Sequence, residues 1–464
     1  MEKQAIKLSD KFTYKKLIKF VIPSVVMMIF TSIYGIVDGL FISNYDGTTA
    51  FAAVNLIMPV FFILGAIGFM LGAGGTAIVA KTLGQKENQK ANEYFSLIVY
   101  VTAGLGALVV LIFLPLLPWI CSLLGATGQM HTCCVRYGQI TLLAQPFFML
   151  QNLFQTFFVA AEKPKLGLFI TVLAGVTNMV LDALMVAVLG LGYQGAAIAT
   201  ALSQVVGGLV PVIYFVRPNS SLLRLCKTKF YGKTLIKAVT NGSSELLSNI
   251  SMSVVTMLYN YQLLNIAGER GVSAYGAIMY IGFIFFAVYI GYATGSAPIV
   301  GFKYGAQDKE GLHNVFKKSV VLMSITGVTM TAVAIALSYP LSYMFTGYDP
   351  ILLEMTVRGM VIHSFHFVIC GLNVFGSAMF TALNNGLISA IISFSRTMIF
   401  QCSSILILPL IFGLDGVWSA VIVSETCSFI LTLVFVLTQN KNYGYLHAPK
   451  VENMASATQS SENN

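Results

Sequence analysis

Residues 72–87 read GAGGTAIVAKTLGQKE, and 221 residues further on, over 293–308, the chain reads ATGSAPIVGFKYGAQD. At that offset Gly74 falls on Gly295, Ile78 on Ile299, Val79 on Val300 and Gly84 on Gly305. Working outward, the same offset places Phe95 on Phe316, Ala161 on Ala382, Gly192 on Gly413, Gly195 on Gly416, Ala199 on Ala420 and Ser203 on Ser424. One shift kept across four apolar segments marks an internal duplication, and transporters use such duplicated halves as lobes around a central cavity.

The 464 residues are 56% hydrophobic and 10% charged, against about 25% charged in an ordinary soluble domain. Lipid is therefore the solvent for most of the surface. A span needs about 20 apolar residues. Apolar runs broken by turn residues place helices at 18–43, 51–80, 95–117, 137–161, 166–189, 195–215, 238–267, 274–300, 315–339, 359–382, 387–412 and 416–437. The expected fold is an all-α integral membrane protein of twelve transmembrane helices in two tandem six-helix lobes. Six is an even number, so the lobes share one orientation and are related by a pseudo-two-fold axis along the membrane normal.

Lysine and arginine orient the chain, because cytoplasmic loops collect them. Of the 27 such residues, only Arg136, Arg270 and Arg358 fall in outer loops, and Arg396 falls within a span, when the amino terminus is placed inside. Both termini are thus expected in the cytoplasm, with the chain crossing the cell's inner (cytoplasmic) membrane many times. The expected division is an amino-terminal lobe over 1–216, a connector over 217–237, a carboxy-terminal lobe over 238–438 and a polar tail over 439–464. The apolar run after Lys19 is about twice the length of a signal-peptide core and lacks a small-residue cleavage site, so it reads as a retained helix.

Several classes are excluded. A net charge of +9 without a contiguous basic stripe interleaved with aromatics does not make a nucleic-acid surface. The seven cysteines contain no C-x-x-C, and most lie in apolar runs as small hydrophobes. Around Gly75 to Thr82 the pattern of a phosphate-binding loop fails, since Ala80 stands where a glycine should precede the lysine. No clustered catalytic set is present, so an enzyme is not expected. Any pumping must draw on an ion gradient.

Acids inside spans call for a functional explanation, because a charge there costs at least about 2.5 kcal/mol. Those well inside are Asp38, Asp182, Glu245 and Glu425. At ~1.5 Å per residue, Asp38 and Asp182 each lie about 12 Å below the outer surface of the first lobe, at one level and without a basic residue. Drawn together, two carboxylates repel, so the pair is expected to hold a proton that a cation can replace. Asn178 stands one turn from Asp182 and Tyr34 one turn from Asp38, both able to orient a carboxylate or ligate Na+. In the second lobe Glu245, Arg396 and Glu425 share mid-depth and are expected to form a salt-bridged polar cluster or a substrate site. His363 and His366, three apart, are expected to be a packed or hydrogen-bonded pair or proton carriers.

Pro23 and the glycines at 65, 68, 72, 74 and 75 allow bending and close helix approach. Twenty methionines and 33 phenylalanines would suit a cavity for varied amphipathic ligands, and lipid-facing filler accounts for them equally well.

With these residues in view, the chain resembles the multidrug and toxic compound extrusion (MATE) family, in its MepA-like branch, over nearly its full length. The stretches that carry the resemblance are IYGIVDGLFISNYD (33–46), GAGGTAIVAKTLGQKE (72–87), NMVLD (178–182) and GYQGAAIA (192–199). The resemblance implies antiport of lipophilic organic cations, drugs and dyes, against H+ or Na+ by alternating access. It also implies that Tyr34, Asp38, Asn178, Asp182 and Thr200 form a coupling-cation site. Some members carry an acid in the tenth span, where this chain has His363, His366 and Asn373, so a second-lobe Na+ site does not carry over, although Glu245 matches the seventh-span acid. No cofactor beyond the coupling ion is expected. The expected partners are small organic cations and the bilayer, with no obligate protein partner. A flippase for a lipid-linked saccharide on a related fold is the alternative reading.

Overall fold

The computed structural model describes residues 6–45 and 47–446, and within them no side chain over 34–48 or at 51. The first three spans are α1 (Tyr14–Tyr45), α2 (Gly47–Gly84) and α3 (Asn88–Leu123). The fourth is broken at Ala144 into α4 (Gly128–Leu143) and α5 (Gln145–Ala160). The fifth is α6 (Pro164–Asp182), continued by a π-helical stretch over Ala183–Val188, and the sixth is α7 (Gly192–Val216).

The second lobe repeats this plan. In α8 (Gly232–Gly305), Gly268 at φ 63° and ψ −155° separates the seventh span from the eighth. The ninth is α9 (Lys309–Ala336), followed by the short α10 (Ser338–Thr346). The tenth is the pair α11 (Pro350–Ser364) and α12 (Phe367–Ala382), bent by 51°. The eleventh begins as α13 (Gly386–Phe394), turns π-helical over Ser395–Gln401, and runs into α14 (Cys402–Tyr443), where Gly413 at φ 56° starts the twelfth. The protein is an all-α integral membrane protein with twelve transmembrane helices in two tandem six-helix lobes. Apolar residues such as Leu111, Val188 and Leu410 are largely exposed, as side chains facing lipid should be.

The duplication is visible in the backbone. Lys86 (φ 64°) and Gln307 (φ 55°) are left-handed residues at the 221-residue offset, as are Gly192 (φ 53°) and Gly413. Within the fourth and tenth spans, however, the matching left-handed residues are Glu162 (φ 60°) and Asn384 (φ 62°), one residue further apart. Ala161 and Ala382, equated from sequence, are therefore out of register by one. Helices also outrun the expected spans; α3 begins at Asn88 because its polar first turn projects beyond the apolar slab.

The lobes pack together on one face, which also carries both described chain ends. A Cβ on Gly74 would sit 1.9 Å from the Ala238 carbonyl oxygen, and one on Gly242 would sit 1.8 Å from that of Met70, so α2 and α8 touch backbone to backbone. Before α1, residues 6–13 form a strap across the lobes. Leu8 and Phe12 are buried among second-lobe side chains. The Leu8 amide donates to Glu162 Oε1 at 2.6 Å, while the Ser9 and Phe12 carbonyls accept from Lys303 Nζ at 3.0 Å and Lys318 Nζ at 2.6 Å. Asn384 Nδ2 donates to the Ala77 carbonyl at 3.2 Å. Beyond this face, no interlobe hydrogen bond occurs among the described residues.

The connector expected over 217–237 packs against the first lobe. Helix α8 already begins at Gly232, and the residues before it are pinned along α3: Arg224 N donates to Asn92 Oδ1 at 2.8 Å, and Cys226 N to Ser96 Oγ at 2.9 Å.

Candidate functional site

In the first lobe α6 buries one stripe, Gly167, Thr171, Ala174, Gly175, Asn178 and Asp182, at the three-to-four spacing of a single helix face. That face meets α1 and α7. Asp182, fully buried, is the last α-helical residue before the π-helical turn; Asn178, also buried, stands one turn earlier. Asn178 Nδ2 donates to Thr200 Oγ1 on α7 at 3.4 Å. Its Oδ1 has no hydrogen-bond partner among the described residues. Asn178 thus meets Thr200 between α6 and α7, with Asp182 one turn further along α6. The side chains of Tyr34 and Asp38 lie outside the described residues.

The oxygens of Asn178 and Asp182 are hard donors, suited to a proton or an alkali cation. Among the described residues, no group of three or more His, Cys, Asp or Glu could hold a metal ion. The sequence reading passed over the carboxamides of α5: Gln151, Asn152 and Gln155 are buried in the lobe, and Gln155 Oε1 lacks a partner among the described residues. Their signal was present, three amides within one apolar run (QNLFQ, 151–155).

The second-lobe residues come together more loosely than a tight salt-bridged cluster. Arg396 Nη1 lies 3.7 Å from Glu425 Oε1, longer than a charge-assisted hydrogen bond of about 2.8 Å. Glu425 is held instead by Asn373, whose Nδ2 donates to Oε2 at 2.6 Å and to the Glu425 carbonyl at 2.9 Å. Glu245, half-buried on α8, has no ion pair within 4.0 Å among the described residues, although Arg396 acts on it coulombically. The Arg396 guanidinium stands over the Phe286 ring, 5.8 Å from its centroid.

His363 and His366 flank the bend between α11 and α12. Their rings meet edge to face at 4.5 Å, and His366 Nδ1–H donates to the His363 carbonyl at 2.5 Å. They are a packed, hydrogen-bonded pair.

Each lobe carries a π-helical stretch in its fifth span, and each stretch adjoins an ionisable group: buried Asp182 precedes one, and half-buried Arg396 lies within the other. Such turns loosen the backbone ladder and recur at functional sites. Ser424 Oγ donates to the Arg396 carbonyl at 2.7 Å, tying down the second.

A family model described as MatE matches residues 23–184 and 246–404, one segment in each lobe and well over half of the chain. The chain is similar to the multidrug export protein MepA of Staphylococcus haemolyticus (strain JCSC1435), 25% identical over 451 residues that cover 95% of this chain and 97% of that protein. It is similar also to the MepA of Staphylococcus aureus (strain NCTC 8325 / PS 47), 24% identical with 92% and 94% covered. Among solved structures, "Outward-facing conformation of a multidrug resistance MATE family transporter of the MOP superfamily" matches with a TM-score of 0.89 at 22% identity, covering 95% of this chain and 99% of that one. "Crystal structure of MATE in the straight conformation" matches with a TM-score of 0.88 at 21% identity, covering 94% and 98%. The two-lobe fold, the buried acids and the family match agree: the chain belongs to the MatE family, that of the multidrug and toxic compound extrusion (MATE) transporters.

Proposed function

We propose that this protein is a secondary active exporter, which moves lipophilic organic cations out of the cell in exchange for H+ or Na+. The observation that carries the reading is the first-lobe acid site: Asp182 fully buried in a membrane-embedded lobe, with an Asn178 oxygen one turn away that has no partner among the described residues. A buried acid in lipid surroundings is costly to keep without a cation to bind. The relatives named as multidrug export proteins support the same substrate class.

The packing of the lobes on one face supports alternating access. With both termini taken as cytoplasmic, the sealed face is the inner one, and an ion is proposed to reach the first-lobe acids from outside. A coupling ion entering there neutralises the acid site and releases cargo; the loaded lobes then rock until the opposite face opens. After the ion leaves to the cytoplasm, the recharged carboxylates attract the next cationic cargo.

Ethidium efflux from energised cells tests this reading. Asp38→Asn is expected to abolish gradient-driven efflux while the folded protein remains in the membrane, and normal efflux by that variant would overturn it.

A further inference from the structure

In the second lobe, the Arg396 guanidinium rests against groups that would recognise a lipophilic organic cation. One is a carboxylate, Glu425, at 3.7 Å, and a second is an aromatic face, Phe286, at 5.8 Å; the carboxylate of Glu245 forms no ion pair with it within 4.0 Å and stands farther off. Carboxylates beside an aromatic face bind a cation by charge and by the ring quadrupole together. We infer that Glu245, Glu425 and Phe286 form a subsite for a lipophilic organic cation, and that Arg396 is a tethered competitor that fills it when cargo is absent.

Three observations support an exchangeable arginine. Its hold is loose, since Nη1 makes no hydrogen bond among the described residues despite being buried. Glu425 does not depend on it: one Asn373 bond holds its carboxylate and a second holds its backbone carbonyl, whether or not Arg396 is near. The Arg396 backbone is anchored by Ser424, so a change of rotamer suffices to vacate the place.

Part of the subsite is not fully buried. Glu425 and Asn373 are buried, whereas Arg396, Glu245 and Phe286 are half-buried. The duplicated first lobe lacks it, because Gln204 stands at the 221-residue offset from Glu425. An internal arginine sets a threshold: cargo must outcompete it, so weakly basic or poorly stacking molecules are rejected.

The inference rests on the exporter reading, and binding of tetraphenylphosphonium to the purified full-length protein tests it. Arg396→Gln should tighten binding about tenfold, the scale of one desolvated charge contact, and Arg396→Lys, which keeps the competing charge, should stay near wild type. Phe286→Leu should weaken binding several-fold without altering any charge. Unchanged or weaker binding by folded Arg396→Gln would overturn the inference; should that variant fail to fold, unchanged binding by Phe286→Leu would do so. If the wild type neither binds nor exports tetraphenylphosphonium, the exporter reading falls as well, whereas wild-type binding with inert variants removes the subsite alone.

Discussion

The ammonium of Lys303, at the inner end of the eighth span, donates at 3.0 Å to the carbonyl of Ser9, which precedes the first span. It also pairs with Asp308 at 2.9 Å, and Lys303 is itself buried. Burial alone would raise the Asp308 carboxyl, but the Lys303 bond and the Gly311 amide outweigh it and hold it below its usual range. Lys303→Met removes the donor from both partners. The expected loss is about 1–3 kcal/mol, the cost of leaving such groups unpaired. A lower unfolding temperature in detergent, with faster amide exchange over residues 7–12, would bear this out.

Glu162 ties the same strap to the first lobe and gives it a pH dependence. Desolvation by burial pushes its carboxyl above the usual range, with Asp10 adding to the rise; the Leu8 amide, Lys7 and Lys163 oppose it. A raised value in the seated state means that the protonated form is favoured there. Seating is therefore firmest below the ordinary glutamate value of 4.5 and weakens as pH rises through the raised one. Amide exchange at Leu8, normalised for the intrinsic rate, should show the strap loosening over that rise in the wild type. In Glu162→Gln the profile should be flat.

Gly74 and Gly242 let α2 and α8 meet without side chains between them. Gly74→Ala would force the lobes apart at the sealed face, at an overpacking cost of about 1–3 kcal/mol. Spin-label distances across that face are expected to lengthen or broaden. A Cβ on Gly104 would meet nothing beyond its own helix within 4 Å among the described residues, so Gly104→Ala serves as the neutral control.

Hydropathy, the basic-residue pattern and the repeat made the twelve spans and two lobes legible in the sequence, since all three are set by residue identity alone. Asn178 and Asp182 were legible as a pair because an i, i+4 pair in an apolar run must share a face, whereas Thr200, on another helix, entered only through the family resemblance. The Asn373–Glu425 bond was not, because it joins spans 52 residues apart. The one-residue slip between Glu162 and Asn384 and the two π-helical stretches were also hidden, as neither changes the apolar pattern. The strap and the connector read as polar flanks, and only their partners on α3, α8 and α9 give them structure.

Uphill transport in proteoliposomes bears most directly on ion-coupled export through the first-lobe acids. Wild-type protein, given an imposed H+ or Na+ gradient, should accumulate ethidium against its concentration gradient, and Asp182→Asn, equally folded, should only equilibrate it. Wild-type uptake that ignores both gradients, or gradient-driven accumulation by Asp182→Asn, would contradict it.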